Sequence, residues 1–125
     1  MSDPKTTKKY NLLSASLAFF IWGGWSFYIN DASLFSRVTS GLAQGISSFI
    51  ITLIMVKIIT WFYFKLNFSR LRFILPAIAT VFCTGSVLVT IHYVIGTPYI
   101  LKTVTPALSV AFIFCLYTSY KLKYQ

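Results

Sequence analysis

The sequence predicts an all-α integral membrane protein: four transmembrane helices in a small bundle, with the N and C termini both cytoplasmic. Three observations predict it. Of the 125 residues, 57% are hydrophobic and only 10% are charged, against about 25% charged in a soluble domain. The apolar residues fall in continuous runs of roughly 20, the length that about 30 Å of hydrocarbon requires. The cations stand between those runs, where they set orientation. A soluble chain this short could not bury so much apolar surface.

The chain reads as a single membrane domain over residues 1–125, with spans at about 11–29, 39–64, 73–95 and 105–120. The first follows Lys5, Lys8 and Lys9 and ends in Trp22, Trp25, Phe27 and Tyr28. It is long for the apolar region of a signal peptide and lacks a convincing small-x-small cleavage site, so it is expected to stay as a helix. The second span is long enough to tilt or to enter the interface. The third and fourth carry Pro76 and Pro106 near their expected starts, where proline is tolerated. The segments Val38-Thr39-Ser40-Gly41-Leu42 and Val104-Thr105-Pro106-Ala107-Leu108 match. Thr as N-cap with Pro in the first turn explains the match without duplication. Continuous apolar runs, too few for a closed ring, exclude a membrane barrel.

Charge gives the orientation. Lys5, Lys8, Lys9, Lys65, Arg70, Arg72, Lys121 and Lys123 fall on one side of four spans, and Arg37 and Lys102 on the other. Positive residues mark the cytoplasmic side. Trp22, Trp25 and Tyr28 are expected towards the outer interface, and Trp61, Tyr63, Tyr117 and Tyr120 near the inner one. The net charge of +9 sits in short clusters. These suit anionic lipid headgroups, and no nucleic-acid partner is expected. Asp31, at the end of the first span, is placed to pair with Arg37 or Lys102. Cys83 and Cys115 read as small apolar core residues.

Polar residues inside the spans are the candidate functional groups. On a helical wheel Gly41, Gly45, Ser48 and Thr52 share one stripe of span two, with Gln44 at its edge. Small residues allow close helix approach, and the hydroxyls and amide can bond across, so the stripe reads as a helix–helix interface. Thr80, Cys83, Thr84 and Thr90 form a second stripe on span three that could meet the first; Thr80 and Thr84 are its candidate interface residues. Lys57 lies on the opposite face of span two, among Ile50, Ile54 and Trp61. It either snorkels to the headgroups or, with Lys65, Arg70 and Arg72, contacts an anion or a lipid headgroup. His92, the only histidine, is a candidate polar or pH-sensitive group near the outer end of span three.

The two acids, Asp3 and Asp31, lie outside the span interiors. Paired-carboxylate chemistry, a membrane proton relay built on acids and a nucleophile motif are therefore not expected, nor is any metal or cofactor. The chain is expected to be no enzyme. It reads first as an accessory or assembly subunit of a membrane complex in a bacterial inner membrane. The alternative is a small homo-oligomeric transporter or lipid-linked flippase that binds an anionic headgroup. In size, span number and basic ends it is similar to small four-span carriers, with no shared motif. A holin-like pore former ranks below both. Membrane lipids are its expected partners, together with further copies of itself or a larger membrane-protein complex.

Overall fold

A computed structural model describes residues 4–66 and 70–123 and shows four helices joined by short connections. They are α1 (Pro4–Ile29), α2 (Leu34–Lys65), α3 (Leu75–Ile95) and α4 (Ile100–Lys123), with a 3₁₀ turn over Arg70–Phe73. All four are long and apolar enough to cross a membrane. The side chains of residues 4–7, 70 and 72 lie outside the description.

α1, α2 and α4 run beyond their expected spans while α3 starts two residues inside its own, and the ends of α2 and α4 show why. α2 begins at Ser33, whose hydroxyl accepts the Ser36 amide at 3.1 Å. This cap satisfies one of the donors a helix start leaves free. Thr39 therefore does not cap: its hydroxyl donates back to the Phe35 carbonyl at 2.8 Å, inside the helix. Thr105 and Pro106 also lie inside their helix, so capping does not explain the short sequence match. Residues 100–102, outside the expected span, form the first turn of α4. Pro76 does stand in the first turn of α3.

Pro106 has no N–H to give the Lys102 carbonyl one turn earlier. The indole of Trp25 replaces it, donating Nε1–H to Lys102 O at 2.8 Å. An unpaired carbonyl would be costly in hydrocarbon, so α1 repairs the gap in α4 and the repair joins the two helices. Replacing Trp25 with phenylalanine is expected to cost about 0.6–1 kcal/mol, the usual worth of a hydrogen bond between spans. Most of that cost should vanish in a Pro106→Ala background, where the helix supplies its own donor. A double-mutant cycle read by thermal unfolding in detergent checks this. Equal costs in both backgrounds would rule out the repair.

α1 and α2 pack backbone to backbone. A methyl group on Gly23 would stand 3.1 Å from the Gly41 oxygen and 3.2 Å from Gly45 Cα. One on Gly45 would meet Phe19 at 3.1 Å. At the opposite end, Met55, Ile59, Ala77 and Cys115 form the buried core of α2, α3 and α4. Ala77 lies in the first turn of α3, so this core closes the end that carries the termini. Gln44, about three turns into α2, faces the last turn of α3. α2 therefore overhangs α3 at the short-loop end, the end bearing residues 30–33 and 96–99.

Several expected placements differ. Cys115 is buried, but Cys83 is exposed, and so is Thr90. The buried face of α3 runs through Ala77, Thr80, Thr84, Leu88 and His92, which leaves Cys83 and Thr90 on its flank. Asp31 forms no ion pair with Arg37 or Lys102 among the described residues. Arg37 lies 5.6 Å from the Phe27 ring centre and Lys102 lies 5.2 Å from that of Tyr99. Trp25 stands at the short-loop end as expected, whereas Trp22 turns inward. Tyr63, in the last turn of α2, is buried within the bundle.

Candidate functional site

The site is built in two tiers. The upper tier starts at the end of α3. Gly96 takes a left-handed conformation (φ 76, ψ 35), which glycine adopts without strain. Its amide donates to the Tyr93 carbonyl at 3.2 Å, and the Thr97 amide donates to the His92 carbonyl at 2.9 Å. This is the paired pattern of a glycine-terminated helix. It folds Thr97 back over the helix end and sets its hydroxyl 2.7 Å from His92 Nδ1.

His92 is fully buried. Its Nε2 stands 2.7 Å from Oε1 of Gln44 on α2. A carbonyl oxygen only accepts, so Nε2 carries a proton and donates. The Gln44 amide nitrogen in turn donates to Ser48 Oγ at 3.2 Å. A directed chain thus runs from Thr97 through His92 and Gln44 to Ser48, joining α3 to α2. With each buried partner bonded, these polar groups can be tolerated inside the bundle.

Beside this chain, Asn30 staples α1 to α4. Its Nδ2 donates to the Ser26 carbonyl and to Thr103 Oγ1, both at 2.8 Å, and its Oδ1 accepts the Tyr99 amide at 2.9 Å. The Thr103 hydroxyl donates to the Tyr99 carbonyl at 2.6 Å. Asn30 therefore caps the start of α4 from the end of α1, accepting the amide of the residue before the helix as the Glu or Gln of a capping box does.

The lower tier is a cavity of about 280 Å³ lined from all four helices. Tyr10, Ser14, Ala18 and Trp22 of α1 face Ala107, Ala111 and Phe114 of α4 across it. Ser48, Thr52 and Met55 of α2 and Thr84 and Leu88 of α3 complete the wall. Trp22 and Tyr10 stand about 18 Å apart along α1 at 1.5 Å per residue, a length comparable with one leaflet of hydrocarbon. The cavity lies between the His92–Gln44 layer and the Met55–Ile59–Ala77–Cys115 core. Thr84 donates its hydroxyl to the Thr80 carbonyl at 2.9 Å, and Thr80 donates to Pro76 at 2.8 Å. Ser14 and Thr52 make no hydrogen bond among the described residues.

The sequence-predicted residues separate into groups. Gly41 and Gly45 lie against α1. Gln44 and Ser48 join His92 in the upper chain, and Ser48, Thr52 and Thr84 reach the cavity wall. Thr80 is buried and bonded within α3. Lys57 does not approach the cavity: it is exposed on the outer face of α2 beside the exposed Ile50, Ile54 and Trp61. Because Ile59 packs on Ala77, Lys57 is roughly one turn from the level where α3 begins. Its stem can cover that distance. Lys65 is exposed, with its ammonium 5.7 Å from the Trp61 ring centre. Arg70 and Arg72 belong to the 3₁₀ turn, and their side chains lie outside the described residues. Sequence reasoning did not single out Trp25, Asn30, Thr97 or Thr103 as bonding groups. One signal for Trp25 was present: a proline within an apolar run leaves a carbonyl that needs a donor from elsewhere.

No protein-family model, no curated protein and no solved structure matches this chain.

Proposed function

We propose that this chain is a non-enzymatic membrane protein that holds an uncharged, largely hydrocarbon molecule between its helices near the bilayer midplane. It would act as a small carrier or as the ligand-binding subunit of a larger membrane complex. The observation that carries this reading is the four-helix cavity, apolar over most of its wall and edged with hydroxyls. Ligand sites between bundle helices have this character, and midplane sites serve transport. Both ring nitrogens of His92 are engaged, by Thr97 and Gln44, so this imidazole is not placed as a base for the cavity hydroxyls. A pore through one chain is disfavoured, because packed layers lie above and below the cavity.

Filling the cavity tests the reading. Ala18→Phe adds a ring from α1 at a half-buried position on the wall. The protein is extracted gently from its own membrane and its bound small molecules are weighed by native mass spectrometry. Retention should fall roughly tenfold, equivalent to about 1.4 kcal/mol, with the helical content unchanged. Undiminished retention would sink the proposal.

The accessory-subunit reading is favoured by a separate observation. The outer face of α2 sets Lys57 among exposed apolar side chains, and the chain's acids are Asp3 and Asp31, which lie outside the spans. A second copy offers Lys57 no carboxylate at its own depth. A different partner or a lipid phosphate does, which ranks a heteromeric complex above a homo-oligomer here. Co-extraction of another protein at fixed stoichiometry supports this reading, and its absence at native expression opposes it.

We also propose that residues 30–33 and 96–99 face outward and that both termini are cytoplasmic, in a bacterial inner membrane. The distribution of Lys and Arg supports the orientation. With the native cysteines replaced, Ala32→Cys should react with a membrane-impermeant maleimide on intact cells, and Lys123→Cys only after permeabilisation. The reverse pattern inverts the assignment.

A further inference from the structure

We infer that the cavity prefers a long-chain ligand bearing a hydrogen-bond acceptor such as a carbonyl, and that His92 and Gln44 set this preference by holding Ser48 as a donor. The inference rests on the ligand-binding reading above and names the chemistry that the site selects.

Ser48 is 6% exposed and forms part of the cavity wall. Its oxygen accepts from Gln44 Nε2. Its own hydrogen has no acceptor among the described residues. Most other helical hydroxyls in this chain donate to the carbonyl one turn back, as Thr80, Thr84, Ser86, Thr90 and Thr118 do. Ser48 is thus the most deeply buried wall hydroxyl whose hydrogen lacks an acceptor; Ser14 and Thr52, also without a hydrogen bond among the described residues, are only half-buried. An unmade hydrogen bond of this kind is costly away from water. A ligand that supplies an acceptor there recovers it, and a plain alkane does not.

The direction of the chain determines which sign Ser48 presents. A carboxamide has one accepting and one donating end, and rotation by half a turn exchanges them. His92 Nε2 donates to the oxygen end, so the nitrogen end faces Ser48 and occupies its oxygen. The Ser48 hydrogen is left for the cavity. Without His92 the carboxamide can turn. Its oxygen then takes the Ser48 hydrogen, and Ser48 offers the ligand only a lone pair. His92 and Gln44 are accordingly positioning residues. They act on the ligand through Ser48 and need not touch it.

The test uses the full chain in detergent micelles and three probes of equal length: a medium-chain alkane, its methyl ketone and its primary alcohol. Wild type should bind ketone and alcohol alike, each roughly tenfold more tightly than the alkane, as one hydrogen bond of about 1.4 kcal/mol provides. Ser48→Ala should lose most of the ketone's advantage over the alkane, and a variant that keeps the tenfold preference overturns the role of Ser48. His92→Leu should prefer the alcohol, which can donate, over the ketone, which cannot. A purely structural role for His92 would weaken every probe together and leave the order intact, which would overturn the relay. If His92→Leu fails to fold, Ser48→Ala decides alone. Equal binding of ketone and alkane by wild type overturns the inference and leaves the cavity reading standing. Binding of no probe by wild type defeats both. The carbonyl has two natural sources, an acyl ester and a prenyl quinone. A fatty-acyl methyl ester and a short-tailed benzoquinone, run as further probes, identify the source by the tighter binder.

Discussion

Asn30→Leu is expected to destabilise the bundle by roughly 2–3 kcal/mol, a larger loss than a single hydrogen bond gives. Several groups lose their partner together. The Tyr99 amide loses its acceptor at the start of α4, and the Ser26 carbonyl and Thr103 oxygen lose a donor. A missing cap costs about 1 kcal/mol, and a buried unpaired amide about 1–3. Hydrogen bonds between spans average only about 0.6 kcal/mol, so the excess reports the cap. Asn30→Asp keeps an acceptor for Tyr99 but loses the donor to Ser26, and should fall between the two. Thermal unfolding of the purified variants in one detergent reads the order. A leucine variant as stable as wild type would show that the staple contributes nothing.

Adjacent glycines of α1 should respond in opposite ways. Gly23→Val forces Cβ against the Gly41 oxygen and Gly45 Cα, both backbone atoms that cannot turn aside. Overpacking of this kind costs about 1–3 kcal/mol, and the two extra methyls place valine at or above the top of that range. Gly24 meets nothing within 4 Å at the same added atom. Gly24→Ala should therefore be neutral or gain up to about 1 kcal/mol from helix propensity. Gly85→Ala is intermediate in kind: its contact is Leu108 Cδ1 at 3.0 Å, the movable end of a side chain. Protease resistance of the α1–α2 pair, measured beside thermal unfolding, separates these cases. Equal loss at Gly23 and Gly24 would mean that the contact is not what limits packing.

The four spans were legible because apolar run length reports helices that cross lipid directly. The small stripe on α2 was legible for a similar reason: Gly41, Gln44, Gly45 and Ser48 repeat with the helix period. The partners of that stripe were not. Nothing local relates Gln44 to His92 or Gly45 to Phe19, since each pair is joined only by the fold. The helix starts were misread because Thr and Pro suit a cap equally well in sequence, and the decision falls to Ser33 and Asn30, outside the apolar runs. Lys57 stood out because charge in a span is conspicuous, yet it faces away from the cavity. The cavity itself is lined by ordinary Ala, Leu and Phe side chains. Their identity says they are apolar, and only the angles between helices decide whether they touch.

The bonds that α4 receives from α1 also impose an order on biosynthesis. α1 leaves the ribosome first and α4 last, yet Asn30 and Trp25 belong to the first hairpin and find their acceptors and donors in the final one. The nascent α1–α2 hairpin can close early through its glycine contact, but it enters the lipid with the Trp25 indole and the Asn30 amide oxygen still uncommitted. Arrival of α4 satisfies both and at the same time compensates the gap left by Pro106. α4 is therefore the latch of the assembly: a chain halted before it would leave those two groups unpaired in the bilayer.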